Sequence, residues 1–110
     1  MSTLSTHVLD TTHGSPAAGI SIVLTTELGT VLFEGETNAD GRCPGVPELP
    51  TGTYRLTFAV AAYFRARGVH LSEPPFLDRV AIDFGIADPS GHYHVPLLVS
   101  PFGYSTYRGS

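Results

Sequence analysis

Five histidines stand in a chain of 110 residues. Imidazole, with an unperturbed pKa of about 6.5, is the side chain that gains or loses a proton near neutrality. Two of the five, His92 and His94, are spaced two apart in His92-Tyr-His-Val-Pro-Leu-Leu-Val-Ser100. In an extended strand that spacing puts both rings on one face with Leu98 and Ser100, while Tyr93, Val95, Leu97 and Val99 take the other. The apolar face belongs in a core, so the imidazoles are expected to share a surface turned away from it. Paired imidazoles suit proton transfer to and from a reacting group. They also suit a metal, with His7 as a third ligand, but no cysteine pair and no HExxH helix accompany them, so the metal-free reading is taken. His13 and His70, each near a glycine in a turn-forming stretch, read as surface or hydrogen-bonded structural histidines.

Two further features bear on chemistry. Cys43 follows Arg42, and a neighbouring cation lowers a thiol pKa; the simpler reading, a small reduced side chain, is adopted. The segment Tyr104-Ser-Thr-Tyr-Arg-Gly-Ser110 carries hydroxyls and a guanidinium within seven residues. Terminal segments commonly fray. Here, however, Tyr104 and Thr106 alternate as in a strand, and Pro101-Phe-Gly103 offers a turn that folds them back beside residues 92–100.

The elements that must position these groups are mostly strands. Tyr54, Leu56, Phe58 and Val60 alternate with polar neighbours, as do Val80, Ile82, Phe84 and Ile86. Ile20, Ile22 and Leu24 repeat the pattern, and Val31 and Phe33 continue it. Each run predicts a strand with one face in a core. Turn-forming residues divide them, among them Thr12-His-Gly-Ser-Pro16, Asn38-Ala-Asp-Gly41 and Ala87-Asp-Pro-Ser-Gly91. One stretch departs from period two. Val60, Tyr63 and Phe64 fall at helical spacing, Ala61 and Ala62 favour helix, and Gly68 supplies a stop, so a short helix is expected near residues 60–67. The whole reads as an all-β, two-sheet antiparallel β-sandwich with one short helix, in a single domain of residues 1–110. Pro96 cannot donate to a ladder, so a bulge or local irregularity is expected at that point.

Composition narrows the function. All six basic residues are arginine, the net charge is −4, and no basic cluster exists to neutralise phosphates, which excludes nucleic acid binding. No stretch approaches the roughly 20 apolar residues of a membrane span. Met1 to His7 lacks the basic start and apolar run of an export signal, and Cys43 is the only cysteine, so a cytoplasmic location is expected.

Three segments together carry a resemblance: Leu4-Ser-Thr-His-Val-Leu-Asp-Thr-Thr-His-Gly-Ser-Pro-Ala-Ala-Gly19, Thr37-Asn-Ala-Asp-Gly-Arg-Cys43, and His92 through to Tyr107-Arg-Gly-Ser110. They resemble the transthyretin-like 5-hydroxyisourate hydrolases. The terminal tetrapeptide after His-Tyr-His-Val-Pro-Leu-Leu is the most specific part, and separates the enzymes from the hormone carrier transthyretin. Gly91 and Ser15 depart from the acidic residue and arginine of many members, at positions outside the expected chemistry.

The resemblance implies a homotetramer with active sites at a dimer–dimer interface, and hydrolysis of 5-hydroxyisourate to 2-oxo-4-hydroxy-4-carboxy-5-ureidoimidazoline with no metal, redox centre or organic cofactor. It implies that His7, Arg42, His94 and Ser110 are catalytic. His7 and Arg42, with Tyr107, Arg108, Gly109 and Ser110, would contact substrate. The residue types fit: imidazole takes a proton from water, and a planar, permanently charged guanidinium holds ring carbonyls or the oxyanion formed on attack. Two other readings make different expectations. A carrier would use the same channel for a small aromatic ligand, but has no need of two proton-transfer groups. A structural or adhesion sandwich is disfavoured by the absence of an export signal and disulfides.

Overall fold

The period-two runs form strands because alternating side chains let one face of a pleated chain bury while the other meets water. The computed structural model describes residues 1–110. Its elements are β1 (Thr3–Asp10), β2 (Ser15–Pro16), β3 (Ser21–Thr26), β4 (Val31–Glu36), β5 (Gly52–Ala59), α1 (Val60–Ala66), β6 (Arg79–Ile86), β7 (His92–Ser100) and β8 (Gly103–Thr106). They build two four-stranded sheets, ordered β2-β1-β7-β8 and β4-β3-β5-β6. The expected sandwich with a single short helix is what forms.

The sheets face each other across one apolar core. Val8, Leu97 and Val99 enter it from the first sheet, and Leu24, Leu56 and Phe58 from the second, all at most 1% exposed. Burying an aliphatic or Phe side chain of this kind contributes about 1.5–3 kcal/mol. Tyr93, Val95, Leu97 and Val99 all face inward, so the other face of β7 is left to His92, His94, Leu98 and Ser100.

Four details differ from the sequence expectation. The sheets are not wholly antiparallel: β1 and β7 run parallel, from Thr3↔His92 to Asp10↔Val99. Strands so distant in sequence are not joined by a hairpin, so nothing requires them to oppose. Secondly, the irregularity expected at Pro96 falls on one side only: with β1 the register is unbroken, Pro96 lying opposite His7, whereas pairing with β8 stops at Leu97↔Thr106 and returns only as an isolated bridge at His94↔Gly109. The His94 carbonyl accepts from Gly109 N–H, so Pro96, two residues on, also faces the β8 side. Its missing N–H therefore falls beyond the end of β8, and its carbonyl accepts from Thr106 Oγ1 at 2.8 Å. Thirdly, the run containing Val31 and Phe33 lies on an edge strand whose pairing shifts between Leu24 and Thr25. Phe33 packs partly on the core, while Val31 is 53% exposed. Finally, Val60 opens the helix rather than ending β5.

The helix ends as Gly68 suggested. With φ +80° at Gly68, Gly68 N–H donates to Arg65 O and Val69 N–H to Phe64 O, the paired bonds of a Schellman cap. Tyr63 of this helix donates its hydroxyl to Asp10 Oδ2 at 2.8 Å. The same oxygen pairs with His13 Nδ1 at 2.5 Å, while Thr12 and His13 backbone N–H groups donate to Oδ1. His13 is thus a structural histidine. Burial pushes the Asp10 carboxyl up, but the bonds from Tyr63 and His13 outweigh it and hold the group below its ordinary value.

A depressed carboxyl pKa gives stability that is present above the unfolded value, near 4, and disappears as pH falls through the folded value. Asp10→Asn is therefore expected to destabilise by about 1–3 kcal/mol at pH 7. Urea unfolding of both proteins should show that gap shrinking at about pH 3. A gap that is constant across this range counts against the ionised clip.

Candidate active site

The parallel register sets the site. On the outer face of the first sheet, Thr3 lies beside His92, Ser5 beside His94, and His7 beside Pro96. His7 and His94 are thus diagonal neighbours on adjacent strands, with their side chains on the same face. Both rings are half-buried.

Arg42 reaches the same face through a tight loop. Asn38 Oδ1 accepts from the backbone N–H groups of Asp40 and Arg42, and Gly41 N–H donates to Asn38 O at 2.9 Å. Gly41 takes φ +76°, and any Cβ there would strike the Val8 carbonyl. The loop thereby sits against β1, with Val8 N–H donating to Gly41 O and His7 bridged to Arg42. His7 Nε2 donates to Asp40 O at 2.8 Å. A carbonyl only accepts, so the neutral His7 ring carries its proton on Nε2 and leaves the Nδ1 lone pair free.

The tail also converges, in part. The hairpin register that pairs Leu97 with Thr106 continues to an isolated bridge between His94 and Gly109. A Cβ at Gly109 would collide with Cδ2 of the His94 ring, so glycine is what lets the imidazole lie across the tail. Ser110 follows, exposed. Arg108 turns away, with its guanidinium 4.2 Å from the centre of the Tyr93 ring. Together with Tyr107 it borders a cavity of about 340 Å³ between β6 and β7. Within one chain, then, His7, Arg42, His94 and Gly109 share one face, while Tyr107 and Arg108 edge a separate groove. Cys43 is buried, which pushes its thiol above the ordinary value and suits an unreactive side chain. His70 is exposed in the loop after α1.

Electrostatics favours neutral imidazole. Burial lowers the His94 pKa, and the nearby charges of Arg42, His7 and His92 lower it further. His94 is therefore uncharged at pH 7, ready to accept a proton. Its Nδ1 lies 2.7 Å from Ser5 Oγ, and Ser5 Oγ is 3.2 Å from His92 Nε2. His92 Nδ1 in turn is 2.6 Å from Thr3 Oγ1. Ser5 and Thr3 were not singled out by sequence, although their alternation with His7 in Thr3-Leu-Ser-Thr-His7 places all three on one strand face. An NMR titration is expected to put the His94 midpoint below 6.5, and Arg42→Gln to move it upward. An unmoved midpoint would remove the guanidinium as a cause.

Comparison with known proteins places the chain among relatives of known names. A protein of Caulobacter vibrioides named 5-hydroxyisourate hydrolase is 50% identical over 115 residues, covering 100% of both chains. The crystal structure of an (S)-allantoin synthase matches with a TM-score of 0.92 at 44% identity; it covers 99% of this chain, which spans only 44% of that one. The structure of Klebsiella pneumoniae 5-hydroxyisourate hydrolase matches with a TM-score of 0.86 at 43% identity, covering 100% of both chains. Residues 4–109 match the family described as HIUase/Transthyretin, and to that family this chain belongs.

Proposed function

We propose that the protein hydrolyses 5-hydroxyisourate. The observation that carries this reading is full-length likeness, at 50% identity, to a protein of that name. The convergence of His7, Arg42 and His94 on one sheet face supports it, because two proton carriers and a fixed cation can take a proton from water, give one to the leaving nitrogen and hold the oxyanion.

In this reading water adds to the amide carbonyl, the C–N bond breaks, and the ring nitrogen takes a proton as the new carboxylic acid ionises. Arg42 holds the carbonyl oxygen and the oxyanion that forms on attack, its charge being permanent and its donors planar. His7 offers the Nδ1 lone pair, since Nε2 is occupied by Asp40 O. His94 offers Nε2, since Nδ1 is occupied by Ser5. One removes the proton of water and the other delivers a proton to the departing nitrogen. Gly109 keeps the tail against His94 and Ser110 contributes to holding the substrate, while Tyr107 and Arg108 border the neighbouring groove, where Arg108 anchors the tail on Tyr93. The chemistry is assigned to side chains alone, with no cofactor.

The histidine face of one chain is an open sheet surface, and enclosing a small flat substrate calls for a second surface over it. A homotetramer that buries this face between subunits belongs to the same reading. A cytoplasmic location does too, supported by the single unpaired thiol of Cys43; no helix is long and apolar enough to cross a membrane. The family name also includes transthyretin. A carrier would bind without turnover, so the decisive experiment generates 5-hydroxyisourate freshly from urate and follows its absorbance. Decay faster than the spontaneous rate supports hydrolysis, and an unchanged rate ends it.

His7→Ala, Arg42→Ala and His94→Ala are each expected to lower kcat by about 10²–10⁴-fold with the fold intact. A variant that keeps wild-type turnover takes its residue out of the mechanism. Removing residues 107–110 is expected to abolish most activity while leaving the thermal transition of the sandwich in place, as read by circular dichroism. Full activity in the shortened chain contradicts the role given to the tail.

A further inference from the structure

The row of hydrogen bonds beside His94 has a property that the assigned chemistry does not use. Thr3, His92, Ser5 and His94 alternate hydroxyl and imidazole across the parallel seam, with separations of 2.6, 3.2 and 2.7 Å. A hydroxyl both donates and accepts, and a neutral imidazole donates from one nitrogen and accepts at the other. The row therefore closes in only two ways. In one, Thr3 donates to His92 Nδ1, His92 Nε2–H to Ser5, and Ser5 to His94 Nδ1, which leaves His94 with its proton on Nε2. In the other every bond reverses, and His94 Nε2 is a bare lone pair.

We propose that Ser5 and His92 are positioning residues that set, through this row, whether His94 Nε2 acts as base or acid, and that His92 stores the proton His94 takes up. This rests on the hydrolase reading. The proton count closes. His94 Nε2 accepts a proton from water, His94 passes its Nδ1 proton to Ser5 Oγ, and Ser5 passes its own to His92 Nε2. The result is a neutral His94 with Nε2–H, poised as an acid, and a cationic His92. The charge then sits on the ring that the register places farther from His7, not on the half-buried ring that faces Arg42 and His7. Both of those groups disfavour a cation at His94. His92 also has the Arg108 guanidinium near its own carbonyl, at 3.5 Å, on the backbone side away from the Ser5 contact.

Ser5→Ala cuts the row at its middle and removes no group assigned to the substrate. It is expected to lower kcat about tenfold or more with KM within about twofold. Ser5→Thr, which restores the hydroxyl, should bring back most of that loss. His92→Gln, which hydrogen-bonds but stores no proton, should lower kcat as Ser5→Ala does; it also serves if Ser5→Ala does not fold. A readout without substrate is heteronuclear NMR of the imidazole nitrogens at a pH where both rings are neutral. His92 and His94 should show the same tautomer in the wild-type protein and independent tautomers in Ser5→Ala. Opposite tautomers in the wild type, or wild-type kcat in Ser5→Ala, overturn the relay. Should the wild type leave 5-hydroxyisourate untouched, the hydrolase reading fails, and the tautomers still decide whether the row is coupled.

Discussion

The parallel pairing of β1 with β7 is the constraint on which the site depends. It joins residues about ninety positions apart and fixes Thr3, Ser5 and His7 beside His92, His94 and Pro96. A slip of one residue would turn every one of these side chains to the other face of the sheet, sending imidazoles into the core and Val8 or Leu97 into solvent. The hydrophobic cost of that exchange guards the register. Packing on the inner face thus enforces geometry on the outer one, where little else is buried.

Around this seam the remaining parts act on charge. The loop from Asn38 to Arg42 is held by side-chain and backbone bonds of its own, and Gly41 lets it approach β1 closely enough for His7 to donate to Asp40 O. The guanidinium is brought near enough to His94 to lower its pKa, and it pairs with no carboxylate. The outcome is a neutral His94 beside a fixed cation, the cation that the proposed hydrolysis uses to meet the oxyanion. At the opposite end of β1, Asp10 solves a different problem. Its carboxylate is wholly buried but fully bonded, and ties β1 to the turn after it and to α1.

Much of this was legible from residue order. Strands β3, β5, β6 and β7 follow from alternation because one-sided burial imposes period two, and α1 from the break in that period with Gly68 after it. The histidine face of β7 followed from the same logic, since Tyr93, Val95, Leu97 and Val99 had to turn inward. What periodicity does not encode is partner choice. Nothing in either segment says that β1 lies against β7, or that it does so in parallel, so Ser5 and Thr3 passed unnoticed although their neighbour His7 did not. Pro96 interrupts pairing as expected, but only toward β8: its harm to a ladder depends on which side its nitrogen faces, and that is a property of the assembled sheet. His7, Arg42 and the tail were recognised by resemblance, not by spacing.

Pro96 also decides how firmly residues 107–110 are held. Opposite it, the β7–β8 register would supply another reciprocal backbone pair, and proline withholds the donor. Thr106 Oγ1 covers the Pro96 carbonyl, and beyond that point the segment is anchored by Gly109 N–H on His94 O and by the contacts of Arg108 with Tyr93 and His92. Interactions of this kind are worth about 0.5–1.5 kcal/mol apiece, far less than the sandwich as a whole. Detaching residues 107–110 from β7 therefore costs far less than unfolding the sandwich, and the segment so lightly held lies directly against the His94 ring.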